Sequence, residues 1–157
     1  MLTEKMTEKI RALEGKYPDK RSLVMGALWA VQRARGWKLT KADLADIAKI
    51  LNISPVEVQA AAFFYTMYNV VEQIGARYHI QVCQNISCTL LGAENLLEHF
   101  EKTLAIKPGE TTRDKRFSLT TVECLGSCGT APMMQINDDY YENLSVEKVD
   151  EILKHFK

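Results

Sequence analysis

Four cysteines are the residues whose type and spacing best suit chemistry in this chain. Cys83 and Cys88 form a C-x4-C pair; Cys124 and Cys128 form a C-x3-C pair, 35 residues further on. Four thiolates suit a 2Fe–2S cluster, in which each iron takes two thiolates and two sulfides bridge the irons. Structural zinc also accepts four thiolates, although its pairs commonly stand closer, as C-x2-C. A disulfide framework is a third reading and belongs to an oxidising compartment. Cys124 and Cys128 lie in Glu123-Cys124-Leu125-Gly126-Ser127-Cys128-Gly129-Thr130-Ala131-Pro132. Gly126 and Gly129 are expected to take backbone angles closed to other residues and so to shape that loop. Such loops aim several N–H groups at sulfur. An oxidised cluster with four thiolates carries a charge of about −2, and reduction adds one more negative charge, so donors and shielding both favour it.

The elements around the cysteines must bring the two pairs together. Tyr78, Ile80 and Val82 alternate with His79 and Gln81, which predicts a strand ending at Cys83. Cys88 is expected at the start of the next helix, where the helix dipole favours thiolate. Leu90 to Leu104 reads as helix, with Leu96, Leu97, Phe100 and Leu104 on one side. Lys107-Pro108-Gly109 opens a loop that runs to Arg116. Phe117 to Glu123 reads as a second strand, ending at Cys124. Met133 to Asn137 and Tyr140 to Leu144 follow as strands around an Asp138-Asp139 turn, and Ser145 caps a last helix. The order from residue 76 is thus β-α-β-β-β-α.

Residues before about 75 contain no cysteine and read as helices. Met6, Ile10 and Leu13 mark the first, which ends near Gly15 and Pro18. Ser22 is a candidate cap for the second, through Leu23, Leu28 and Val31. Thr40 with Asp43 opens a third that stops at Asn52, and Ser54-Pro55-Val56-Glu57 opens a fourth. The apolar run Ala60 to Tyr65, with Met67 and Tyr68, exceeds what one small helix face can bury. It is either core between helices or a docking surface.

The totals exclude several classes. Among 157 residues, 46% are apolar and 25% charged, as in a soluble globular protein. Twenty basic and twenty acidic side chains cancel, so no overall field draws the chain to nucleic acid or acidic lipid. Charges interrupt the N-terminus at once, unlike a signal peptide. No apolar run approaches the roughly 18 residues of a membrane span. A cytoplasmic chain without direct membrane insertion is therefore expected, and reduced thiols there point to metal or redox chemistry before disulfides. Neither G-x-G-x-x-G nor G-x-x-x-x-G-K occurs, so hydride chemistry is expected on another chain. His79, His99 and His155 adjoin neither cysteine pair and are expected in ordinary surface or half-buried roles. Lys41 to Tyr68 has the outline of a DNA-binding helix-turn-helix, but Pro55 to Tyr68 carries no Lys or Arg for phosphates. A thiol–disulfide enzyme would carry C-x2-C at the helix after the first strand.

One resemblance joins these readings. Cys83-Gln84-Asn85-Ile86-Ser87-Cys88, Leu91-Gly92-Ala93-Glu94 and Val122 to Asn137 resemble the thioredoxin-like 2Fe–2S subunit of NADH:quinone oxidoreductase. The similarity continues through Asp138-Asp139-Tyr140-Tyr141-Glu142-Asn143-Leu144 and takes in Val56 to Tyr68. Ser87 departs from the proline that many members carry there; no ligand is lost. The resemblance implies an α/β (α+β) protein: a helical docking domain over residues 1–75, then a thioredoxin-like domain with a mixed sheet over 76–157. It implies one 2Fe–2S cluster, with Cys83 and Cys88 on one iron and Cys124 and Cys128 on the other. It implies a flavoprotein partner that holds FMN and NADH, with this chain as the electron-transfer subunit of an NADH dehydrogenase-type oxidoreductase, peripheral to the membrane through the larger complex. The same subunit type occurs in NAD-dependent and electron-bifurcating hydrogenases and in formate dehydrogenases. Zinc-stabilised structural modules remain the alternative of another class.

Overall fold

The structure is a computed structural model and describes residues 1–156. Its contacts divide the chain into two compact units, one covering Met1–Gly75 and the other beginning at Ala76.

The first unit is helical: α1 (Glu4–Arg11), α2 (Val24–Ala34), α3 (Lys41–Leu51) and α4 (Pro55–Phe64). Local chemistry starts and stops these helices. Thr40 and Asp43 form a reciprocal capping box on α3, and Ser54 with Glu57 forms another on α4, where Pro55 takes the first turn. Asn52 ends α3 at φ 53°, the left-handed conformation that asparagine tolerates. Ser22 does not cap α2. Its backbone N–H and hydroxyl both donate to the Asp19 carboxylate, and Leu23 stands at the cap without a side-chain bond. The competing local turn satisfies the serine first. Ile10, Leu28, Val31, Ile47, Leu51, Val58 and Tyr68 fill the core between the helices. Polar groups inside it are satisfied: the buried Asp43 accepts from Arg35 at 2.9 Å, and the Gln32 amide joins the Met67 carbonyl at 3.0 Å to the Asn69 N–H at 2.6 Å.

The second unit is a four-stranded mixed sheet built from β1 (Tyr78–Cys83), β2 (Phe117–Val122), β3 (Met134–Ile136) and β4 (Asp139–Tyr141), in the order β2-β1-β3-β4. Strand β1 is parallel to β2 and antiparallel to β3; β3 is antiparallel to β4. The helices are α5 (Ile86–Leu90), α6 (Ala93–Leu104) and α7 (Val146–His155). The helix expected over residues 90–104 is therefore broken. Gly92, at φ 96°, separates α5 from α6, a backbone setting that glycine alone adopts readily. The last strand is also shorter than expected. It ends at Tyr141, and Asn143 turns the chain at φ 49°.

The two sheet faces differ, as the period of two requires. Ile80, Val82, Leu119, Met134 and Ile136 share one face and pack in one core with Leu96 and Phe100 of α6 and Val149 of α7. His99 of α6 meets Asp150 of α7 at 2.7 Å. The opposite face carries His79, Gln81, Ser118 and Thr120, and the first three of these are buried. His79 lies 2.8 Å from the Thr120 hydroxyl and is only 3% exposed, more deeply set than a surface or half-buried histidine.

That setting has a pH signature. Burial depresses the His79 pKa to about 4. The unfolded chain takes up a proton below the ordinary histidine value of about 6.5, while the native state stays neutral until about 4, so stability is lost as pH falls through that window. Between pH 7.5 and 5 this one group is expected to cost about 2 kcal/mol, a roughly thirty-fold loss in amide protection of β1 by hydrogen exchange. In His79→Gln that acid-dependent component disappears. An unchanged pH slope in the variant would refute the assignment.

Candidate metal centre

Parallel pairing of β1 and β2 brings both cysteine pairs to one end of the sheet. Cys83 closes β1 opposite Val122, the last residue of β2, and the next turn of chain carries Cys124. The Gln84 N–H donates to the Val122 carbonyl at 2.9 Å, and the Cys83 sulfur lies 4.0 Å from the Glu123 carbonyl. Cys88 follows within α5, close enough to Cys83 for their thiols to interact. Cys83, Cys88, Ala93 and Met133 form a small buried cluster, against which Leu125 and Ala131 of the second loop pack. The Cys128 side chain acts electrostatically on Cys88, which ties the second pair to the first. Among the described residues, no three His, Cys, Asp or Glu side chains converge as a ready shell for one ion.

The pairs differ in environment. Cys83 and Cys88 are buried, while Cys124 and Cys128 are exposed. Burial raises the Cys88 thiol above its ordinary pKa, and hydrogen bonding with Cys83 adds to this, against an opposing hydrogen bond from the Met133 backbone. Cys88 does stand in the first turn of α5, as expected, but that helix has only five residues, and burial raises the thiol rather than favouring thiolate. Binding a cation would reverse the balance, because metal coordination holds the thiolate form.

The second loop shows how little of its shape is intrinsic. Gly126 takes φ 79°, and its N–H donates to the Cys124 sulfur at 3.3 Å, as expected of a glycine that aims an amide at sulfur. Gly129 does not share that role. It is absent from the left-handed residues, and a Cβ there would meet nothing within 4 Å. Cys128 opens a three-residue 3₁₀ turn, Cys128–Thr130, and the Ala131–Pro132 peptide is cis.

Two residues that brace this loop carry no motif of their own. The Tyr140 hydroxyl donates to the Leu125 carbonyl at 2.8 Å. The Glu142 carboxylate accepts from the hydroxyls of Ser127 and Thr130, the latter at 2.6 Å. These bonds, Ser127 first, hold the Glu142 carboxyl below its ordinary pKa. Their only signal in the sequence is their place in Tyr140-Tyr141-Glu142-Asn143-Leu144, which reads locally as a strand.

Two thiol pairs, one buried and one at the surface, joined by packed loops and served by a backbone amide, fit the donor set of a 2Fe–2S cluster. Comparison with known proteins agrees. The family model for the thioredoxin-like [2Fe-2S] ferredoxin matches residues 10–157. The chain is 47% identical over 152 residues to an NADH-quinone oxidoreductase subunit of Rhizobium meliloti (strain 1021), covering 97% of this chain and 89% of that one. It is 44% identical over 128 residues to NADH-quinone oxidoreductase subunit 2 of Thermus thermophilus, covering 80% and 69% of the two chains. Its fold superimposes on a chain of a NAD+-reducing [NiFe]-hydrogenase in the H2-reduced state with a TM-score of 0.71 and 27% identity, covering 82% of this chain and 22% of that one. Fold, paired thiols and sequence together place the chain in the thioredoxin-like [2Fe-2S] ferredoxin family.

Proposed function

We propose that Cys83 and Cys88 hold one iron of the cluster and Cys124 and Cys128 the other, and that the chain is a one-electron carrier beside an NADH-oxidising flavoprotein in an NADH:quinone oxidoreductase. The observation that carries this is that the parallel strands β1 and β2 end side by side and each is followed by one cysteine pair. When bound, the cluster exchanges single electrons, complementing a flavin that exchanges two with nicotinamide. The chain's own residues define the two sides of the site. Met133 and Ala93 shield the Cys83–Cys88 side from water. Cys124 and Cys128 lie on the open side, where a bound cluster would be within reach of a redox partner.

The partner reading rests on the relatives' names and on a surface of the first unit. Helix α4 exposes Val56 and Phe64, the latter 79% exposed, and Pro55 to Tyr68 has no basic side chain. Phe63 and Tyr65 are also partly open. An apolar face of this kind suits a protein partner rather than a nucleic acid. No described helix is long and apolar enough to cross a membrane, so attachment through a larger complex is the arrangement we favour. The hydrogenase likeness supports the same subunit type in a different assembly as the second reading.

The test begins with anaerobically purified chain, alone and co-expressed with an NADH-binding flavoprotein from the same source. About two irons and two acid-labile sulfides per chain, with a spin-half EPR signal after dithionite reduction, are the expected result. One zinc without sulfide, persisting after attempted reconstitution, would make the chain a structural module. Phe64→Glu is expected to weaken capture of the flavoprotein at least ten-fold while leaving iron content unchanged. Undiminished capture by that variant would remove α4 from the interface.

A further inference from the structure

We propose that Glu142 is a positioning residue for the second cysteine loop, locking the Cys124–Cys128 segment into its ligating shape and setting the negative charge beside it. The inference rests on the ligation proposed above. Cys128 lies exposed on a single 3₁₀ turn of three residues, too short to hold itself. Its order comes from the segment Tyr140 to Leu144. One oxygen of Glu142, Oε1, accepts from Ser127 Oγ and from Thr130 Oγ1, residues on either side of Cys128. The two hydroxyl oxygens are themselves 2.8 Å apart, so one carboxylate oxygen gathers both sides of the turn. The backbone repeats the attachment: Asn143 N–H donates to the Thr130 carbonyl at 2.7 Å and Leu144 N–H to the Pro132 carbonyl at 3.0 Å. Tyr140 fixes the middle of the loop at Leu125. Glu142 is anchored in turn, because the Lys148 ammonium donates to its carbonyl at 2.6 Å.

The choice of carboxylate has a consequence that an amide would not. A fixed negative charge near a centre that gains an electron disfavours its reduced form. Glu142 thus holds the loop through its oxygen and lowers the reduction potential through its charge. The two roles separate by substitution. Gln keeps an acceptor oxygen without the charge; Ala removes both. A double variant, Ser127→Ala with Thr130→Val, removes the donors and keeps the charge.

The experiment uses the full chain with its cluster, prepared anaerobically, as wild type, Glu142→Ala, Glu142→Gln and the double variant. Three readouts are taken: the rate of iron release to a chelator, the EPR line shape, and the potential by dye-equilibrated titration. Glu142→Ala is expected to release iron about ten-fold faster, from the loss of two hydrogen bonds, with a broadened spectrum. Glu142→Gln is expected to release iron near the wild-type rate but to titrate at a more positive potential. The double variant is expected to be labile without that positive shift. Wild-type behaviour of Glu142→Ala in all three readouts would overturn the proposal. So would a Glu142→Gln protein as labile as Glu142→Ala with an unshifted potential. If Glu142→Ala does not fold, Glu142→Gln and the double variant decide by the same criteria. Wild type without iron, or full iron after Cys124→Ala, would instead overturn the ligation reading on which this one rests.

Discussion

Cys88→Ala is expected to leave the chain essentially without cluster: iron and acid-labile sulfide fall from about two of each per chain to near zero, and the reduced EPR signal disappears. The size of the effect follows from position. Cys88 is 1% exposed, and its immediate surroundings are Cys83, Ala93 and Met133, with Leu125 and Ala131 against them. At that burial, neither water nor an external thiol reaches the place. The iron would be left with an unfilled position in an apolar setting. Cys124 is exposed, so Cys124→Ala opens a position that solvent can reach. Its occupancy is also expected to fall, but a small added thiol should restore part of it. No such rescue is expected for Cys88→Ala. Metal and sulfide analysis with and without added thiol checks both, and circular dichroism confirms that the variants fold. Full iron in Cys88→Ala would remove it from the ligand set.

Phe100→Ala is expected to destabilise the second unit by about 3–5 kcal/mol, the range for removing a buried aromatic side chain. Phe100 is fully buried near the middle of α6, where that helix meets the sheet. Its ring shares the core with Ile80 and Val82 of β1, Leu119 of β2 and Val149 of α7. The buried side chains of that core are apolar and would not draw water into the space, so the cavity would stay empty and its lining would lose contacts outright. Because β1 also carries Cys83 at its end, the loss reaches the site. Hydrogen exchange of β1 amides reports the change directly, and protection should drop by about two orders of magnitude or more. Phe100→Leu, which keeps most of the volume, should recover the larger part. A Phe100→Ala chain with wild-type protection would show that α6 does not hold the sheet.

Signals that act over a few residues were legible in the sequence. Thr40 with Asp43, and Ser54-Pro55 with Glu57, cap α3 and α4 as their spacing predicts, because a capping box closes within one turn. Asn52 stops α3 for an equally local reason. Where two local partners compete, spacing alone misleads. Ser22 bonds to Asp19 rather than capping α2. Gly92 interrupts a pattern that otherwise runs from Leu90 to Leu104 as one apolar stripe.

By itself the sequence determined the chemistry available: four thiols in two tight pairs, each after a strand, and a loop with a glycine at Gly126. Pair spacing is a local property, so it can be read without a fold. Only the tertiary structure decided that β1 and β2 run parallel, that one pair is buried and the other open, and that Tyr140 and Glu142 brace the second loop. It also decided that burial raises the Cys88 thiol and keeps His79 neutral. Register, desolvation and bonds spanning a dozen residues or more depend on what the rest of the chain places alongside, and no window of sequence contains that information.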